Sequence, residues 1–268
     1  MASGENTPDD SFSKPRIAER KVEEGASFCR VTGFLKARGE VERGLRATMI
    51  RIVILDLDGP ILDGKFRHYA CYRQIITEHG HVPVDLDSYW RMKRERVGLR
   101  QQLSTSGAES IYESFKQSWL DLIEQPDMLA LDRLQPGVTE KLQSWRDNKV
   151  RLVVATLRRY PERLHDQLTY LGLGAFFDYV AVCDPSRGSL GKAQRLKKVV
   201  MDTPPSDCLW IGDTEVDVEA ARSVGCPIWA VTCGLRAESY LASLAPDFLS
   251  PDITYGGFAQ QFKMAAGC

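Results

Sequence analysis

Five short apolar runs constrain this chain more than any other feature of its sequence. They read IRIVIL at 50–55, KVRLVVAT at 149–156, FDYVAVCD at 177–184, CLWIGD at 208–213 and PIWAVTCG at 227–234. Such a run, bounded by polar or turn residues, has no face suited to water. It fits a strand covered on both sides within a parallel sheet. Helical patterns fill the gaps, at 138–147, 160–171, 192–201 and 215–224, and Gly225 follows the last as a helix C-cap would. Strands alternating with helices specify an α/β fold: a three-layer, Rossmann-like core built on a parallel sheet.

One stretch breaks the alternation. Between Phe66 and Leu134 no buried strand can be read. Instead, HYACYRQIITEHG reads as a helix ending at Gly80. LDSYWRMKRERVGLRQQL reads as helical with Asp87 as its N-cap candidate. ESIYESFKQSWLDLIEQ sets Ile111, Phe115, Trp119, Leu122 and Ile123 on one face. The expected organisation is a core of residues 49–64 and 135–268, interrupted by a helical cap at 65–134. Residues 1–48 are polar, mixed in charge and without periodicity, so a disordered N-terminal extension is expected there, with Met49 as an alternative start. They lack the apolar core of a signal peptide, and their acidic residues do not suit a transit peptide.

The 268 residues carry a formal net charge of −1, which gives no reason to expect a nucleic-acid partner, and no run approaches a membrane span. Seven cysteines form no C-x-x-C pair; several lie in apolar runs, so reduced thiols and a cytoplasmic setting fit, with Cys233 and Cys268 as candidate exposed thiols. The oligomeric state is not legible.

Parallel α/β sheets bind ligands at the C-terminal ends of their strands. The first run ends on Asp56 and Asp58, the second on Thr156 and the fourth on Asp213, with Asp217 one helical turn later. Lys192 follows the third. Carboxylates crowded together repel unless something neutralises them, and a hard dication such as Mg²⁺ with oxygen ligands does so. Singly, each residue has a structural explanation. Asp58-Gly59 is a turn signal, Thr156 can cap a helix, Lys192 can be solvated, and Asp213 and Asp217 suit a helix N-terminus. Their joint placement is what points to chemistry.

The set resembles the haloacid dehalogenase-like hydrolase superfamily: DLDGPILD its first motif, Thr156 in VVATLRR the second, Lys192 the third and IGDTEVD the fourth. The helical stretch stands where phosphoglycolate-phosphatase-like and phosphomutase-like members carry a C1 cap. The resemblance implies a phosphoric monoester hydrolase acting on a small phosphorylated metabolite. Asp56 would be the nucleophile, forming an aspartyl-phosphate, and Asp58 the acid/base. Asp56, the Asp58 carbonyl and Asp213 would hold Mg²⁺, supported by Asp217, and Thr156 and Lys192 would bind phosphoryl oxygens. Two positions depart from the pattern: Pro60 replaces the usual Thr, and Leu157 follows Thr156 where Asn is common.

In the cap, Lys93, Arg96 and Arg100 recur at helical spacing as a basic stripe, either solvated or facing a second anionic group of the substrate. Ser104–Gly107 forms a polar loop that could dip into the site, and His68 marks the junction of core and cap. RRYPERLHDQL is expected to open a surface helix rather than supply an arginine pair, although Arg158 lies close to Thr156. The alternatives are a phosphomutase on the same scaffold, a dehalogenase, and a non-catalytic protein binding a phosphorylated ligand or a partner.

Overall fold

The computed structural model describes residues 49–256 and the backbone of 263–264. The N-terminal extension, the alternative start and Cys268 concern residues outside or at the edge of that range. In chain order the elements are β1 (Met49–Ile50), β2 (Ile52–Leu55), β3 (Leu62–Asp63), α1 (Lys65–Glu78), α2 (Leu86–Arg94), α3 (Leu99–Ser104), α4 (Tyr112–Leu122), α5 (Pro126–Leu129) and β4 (Arg133–Leu134). There follow α6 (Val138–Asp147), β5 (Arg151–Thr156), α7 (Pro161–Tyr170), β6 (Tyr179–Val182), α8 (Gly188–Val199), β7 (Cys208–Gly212), α9 (Glu215–Val224), β8 (Ile228–Val231), α10 (Glu238–Ser243), β9 (Phe248–Ser250) and β10 (Lys263–Met264).

Six strands form one parallel sheet in the order β6-β5-β2-β7-β8-β9. The first run of the sequence is therefore central, with Val53 opposite Leu152 on one side and Leu209 on the other. Successive side chains of a strand point to opposite faces, and both faces are apolar here. Val53, Leu55, Leu152, Val154 and Ile211 pack with Leu142 and Trp145 of α6 and Leu164 and Leu168 of α7. Ile52, Ile54, Val153 and Trp210 face the other way, onto Ala193 and Leu196 of α8 and Val218 and Ala221 of α9. This is the three-layer core the alternating pattern specified. At about 25 cal/mol per Å² of buried apolar surface, each of these large side chains contributes about 1.5–3 kcal/mol before entropy is counted.

Helices α1–α5 lie between β3 and β4, two-residue strands that pair antiparallel at the neck of the insertion. The insertion has its own core, in which Tyr72, Ile75, Ile76, Tyr89, Leu103 and Phe115 pack together, and the Tyr72 and Tyr89 rings stack with centroids 4.4 Å apart. Among the described residues no helix is long and apolar enough to cross a membrane.

Several local readings need correction. The N-cap of α2 is Asp85, which accepts from the Ser88 N–H at 2.9 Å; Asp87 lies in the first turn and pairs with Lys65. The long helix read at 86–103 is two helices, because Arg96 adopts φ 58° and breaks it. Helix α8 begins at Gly188, so Lys192 sits inside it rather than opening it. The strands β3, β4 and β9 were not anticipated; two- and three-residue strands carry too short an alternation to read.

Candidate active site

The carboxyl ends of β2, β5 and β7 deliver their polar residues to one cavity of about 340 Å³. Asp56, Asp58, Thr156, Lys192 and Asp213 all line it, together with Trp90, Leu120 and Ile123 of the inserted segment. The turn after β2 positions the first two residues. The N–H groups of Gly59, Ile61 and Leu62 bond back within it, so the N–H missing at Pro60 is not needed for the turn. Gly59 is required: its φ is +101°, and a Cβ there would lie 2.2 Å from the Asp213 carboxyl carbon.

Lys192 is the electrostatic centre. It is 1% exposed, and its Nζ lies 2.8 Å from Asp217 Oδ1 and 3.0 Å from Asp56 Oδ1. Burial works against its charge, but the two carboxylates overcome this and hold its pKa above the ordinary lysine value. Asp217, which is fully buried, also accepts from Thr214 Oγ1 at 2.8 Å and Trp210 Nε1 at 3.4 Å.

One ammonium cannot neutralise three carboxylates. Asp56, Asp213 and Asp217 bring one oxygen each within 4.8 Å of one another. Burial, with the Asp217 and Asp58 charges added, pushes Asp56 up to about 7 against the pull of Lys192. Burial and the Asp56 and Asp217 charges likewise raise Asp213 well above the carboxylate range. Asp213 Oδ2 accepts the Leu235 N–H at 2.5 Å, while its Oδ1 is buried without a hydrogen-bond partner. Gly234 packs against the same carboxylate so tightly that a Cβ would fall 2.0 Å from Oδ2. An all-oxygen donor set with excess negative charge and an unpartnered buried oxygen fits a hard divalent cation.

Asp58 is held differently. Arg158 donates to it twice, Nε to Oδ2 at 2.8 Å and Nη2 to Oδ1 at 2.7 Å, and Arg67 Nη2 donates to Oδ1 at 2.5 Å. Desolvation raises the Asp58 pKa, but the two guanidiniums dominate and hold it well below the usual carboxylate range. Behind the arginines stands Asp132, its side chain 0% exposed, 2.8 Å from Arg67 Nε and 3.2 Å from Arg158 Nη2. Gln167 of α7 donates to Asp132 at 2.8 Å. Helix α7 opens at Pro161 as expected, while Arg158, just before it, is buried against Asp58. Its neighbour Arg159 places its backbone N–H against the Glu124 carboxylate at 3.0 Å.

The other expectations divide. His68 lines the cavity, its ring packed near Trp90 and Trp119. Burial, then the Arg67 and Lys93 charges, keep its pKa well below the ordinary histidine value. The basic stripe does not converge on the site. Lys93 lies over Trp119, Arg96 reaches Tyr240 and Glu215 (the latter at 3.4 Å), and Arg100 stacks on Tyr112 with 3.9 Å to the centroid. Arg96 belongs to the break after α2 and Arg100 to α3, so the helical spacing that linked them is lost. The 104–107 loop stays inside the insertion, where Ser106 bonds Tyr72. Cys233 is half-buried against the Gly59 carbonyl rather than exposed. Leu157 packs partly against the core cluster beneath α8. Arg67, Asp132 and Glu124 were missed: no local pattern marks a charged residue of the inserted segment as inward-facing.

The insertion also reaches the core at two other points. Arg94 Nη2 donates to the Thr232 carbonyl at 2.9 Å, and the Ala237 N–H donates to the Arg94 carbonyl at 3.0 Å. Glu124 binds the loop after β5.

Comparison with known proteins places this geometry. Residues 50–225 match the haloacid dehalogenase-like hydrolase family model. A phosphoglycolate phosphatase of Rhodobacter capsulatus is 26% identical over 197 residues, covering 70% of this chain and 87% of that protein. A beta-phosphoglucomutase of Bacillus subtilis is 26% identical over 188 residues, covering 66% and 80%. A haloacid dehalogenase-like hydrolase structure from Streptococcus pneumoniae superposes with TM-score 0.62 at 20% identity, covering 76% of this chain and 95% of that one, and so shares the fold. With two thirds of its length inside the family model and the motif residues gathered at one sheet edge, this chain belongs to the haloacid dehalogenase-like hydrolases.

Proposed function

We propose that the protein is a Mg²⁺-dependent phosphatase of a small phosphorylated metabolite, with Asp56 as nucleophile. The observation that carries this reading is the Asp56–Lys192–Asp217 bridge beside the unpartnered oxygen of Asp213, at the mouth of β2. Asp56 Oδ1 bonds the Leu57 N–H at 2.8 Å, which fixes the carboxylate toward the cavity. Its attack on phosphorus forms an aspartyl-phosphate and expels the alcohol, replacing one difficult displacement by two easier ones. Asp58, once drawn off the arginines that keep it ionised and protonated from solvent, gives that proton to the leaving oxygen and then takes one from the water that cleaves the intermediate. Lys192 and Thr156 hold the phosphoryl oxygens, where fixed donors are most effective as charge spreads over them.

Asp56, Asp213 and the Asp58 carbonyl would hold Mg²⁺, with Asp217 orienting the set. The cation supplies charge neutralisation among the carboxylates and the phosphoryl group. Residues 65–134 act as a cap that excludes water and shapes the space for the leaving group. The relative named a beta-phosphoglucomutase keeps a second reading in view, in which the phosphoryl group returns to the substrate.

The test is phosphate release from a panel of phosphorylated acids and sugars, with and without Mg²⁺, for wild type and Asp56→Asn. Mg²⁺-dependent release, lost in a folded Asp56→Asn variant, supports the reading. Isomerised product without free phosphate supports the mutase. Near-wild-type turnover by Asp56→Asn removes the nucleophile assignment.

A further inference from the structure

Arg67 and Arg158 are 2% and 5% exposed and lie side by side at the cavity wall. Two carboxylates balance them, and the two differ in one respect. Asp132 is sealed from solvent and anchored by Gln167, whereas the side chain of Asp58 is 33% exposed. A molecule entering the cavity therefore meets Asp58 and can displace it, but cannot reach Asp132. Arg158 grips Asp58 in the parallel two-bond geometry by which a guanidinium recognises any carboxylate. Asp58 also has a conflicting duty, because a leaving-group acid must face the scissile oxygen, and here both its oxygens are turned into the arginines.

We propose that Arg67 and Arg158 form a fork for a carboxylate of the substrate, which replaces the Asp58 side chain and releases it for catalysis. The exchange conserves charge, with two guanidiniums facing Asp132 and one ligand carboxylate in place of Asp132 and Asp58. It rests on the phosphatase reading, and it narrows the substrate to a short phosphorylated carboxylic acid, because Asp58 stands only two residues from Asp56. The released Asp58 lies beside the phosphoester only when the fork is filled. An ester without a carboxylate leaves Asp58 on the fork, and its deficit falls on kcat.

The probes are 2-phosphoglycolate and ethyl phosphate, which differ chiefly by the carboxylate. With saturating Mg²⁺, wild-type kcat is expected to favour 2-phosphoglycolate by about 100-fold, the lower range for a positioned general acid. Arg67→Gln and Arg67→Lys are expected to shrink that advantage to below about 10-fold, because neither supplies the fork. In Asp58→Ala, which removes the resident competitor, calorimetry should show 2-phosphoglycolate binding at least about 10-fold tighter than in wild type, with ethyl phosphate changed far less. Equal turnover of both esters, or an advantage that survives both Arg67 variants, overturns the fork and leaves the phosphatase reading standing. No turnover of either ester, together with the tightened binding in Asp58→Ala, removes the phosphatase reading and keeps the fork. Neither turnover nor tightened binding overturns both. If Asp58→Ala does not fold, the kinetic comparison with Arg67→Lys decides alone.

Discussion

Replacing Lys192 with methionine tests the electrostatic design of the site through stability, independently of turnover. Methionine keeps the length and much of the volume of the side chain but removes the ammonium held 2.8 Å from Asp217 and 3.0 Å from Asp56. Removing one partner of a buried ion pair costs about 3–5 kcal/mol, since it strands the other. For a domain of this size about 1 kcal/mol lowers Tm by about 2–4 °C, so the metal-free protein should melt about 6–20 °C lower. The lower part of that range is favoured, because Asp56 and Asp213 already have raised pKa values and can take up protons as relief. Mg²⁺ should then stabilise the variant more than wild type, because it restores positive charge that wild type still holds. Scanning calorimetry with chelator and with saturating Mg²⁺ measures both quantities. A metal-free Tm within about 2 °C of wild type, or an Mg²⁺ shift no larger than that of wild type, refutes the argument.

Three further outcomes follow from the same geometry. Gly234→Ala should displace Asp213 and weaken Mg²⁺ binding at least about 10-fold, whereas Gly98→Ala, where a Cβ meets nothing within 4 Å, should not; calorimetric titration separates them. Asp56 keeps a proton up to about pH 7 in the folded, metal-free chain but loses it near 3.8 when unfolded. The Asp56 contribution to metal-free stability should therefore fall as pH rises from about 4 to about 7, and stabilisation by Mg²⁺, which displaces that proton, should grow across the same window. Urea midpoints with and without Mg²⁺ test this, and a pH-independent Mg²⁺ increment would contradict it. The His68 ring, depressed by burial and neighbouring cations, should show no imidazole titration by NMR between about pH 5.5 and 8; a midpoint near the ordinary histidine value would exclude the packing described.

The sheet and the motif residues were legible because both depend on local pattern. An apolar run announces a buried strand, and the polar residue that ends it must sit at the strand's carboxyl edge. Asp56, Thr156 and Asp213 needed nothing more. The fork was not legible because its members are set by tertiary contact. Arg67 lies in the first turn of α1, Asp132 just before β4 and Arg158 after β5; the antiparallel β3–β4 neck brings the first two together and the β2–β5 pairing adds the third. The basic stripe failed for a related reason. Helical spacing at Lys93, Arg96 and Arg100 assumed an unbroken helix, and the left-handed backbone at Arg96 divides it. Asp87 suits an N-cap by residue type, whereas the extended backbone and the bond to the Ser88 N–H belong to Asp85.

The central place of β2 has a consequence for how the chain is made. The strand that leads to Asp56 comes first among the six, yet its two sheet partners follow roughly 100 and 150 residues later, a delay of several seconds to about half a minute at ordinary rates of synthesis. Until β5 is made, Ile52–Leu55 is an apolar segment with both edges unpaired, and until β7 follows one edge stays open. The inserted helices, which emerge next and hold their own aromatic core, can fold meanwhile. On the ribosome, the inserted helices are thus made before most of the sheet, and Asp56 meets Asp213 only when Cys208–Gly212 joins the far side of the strand.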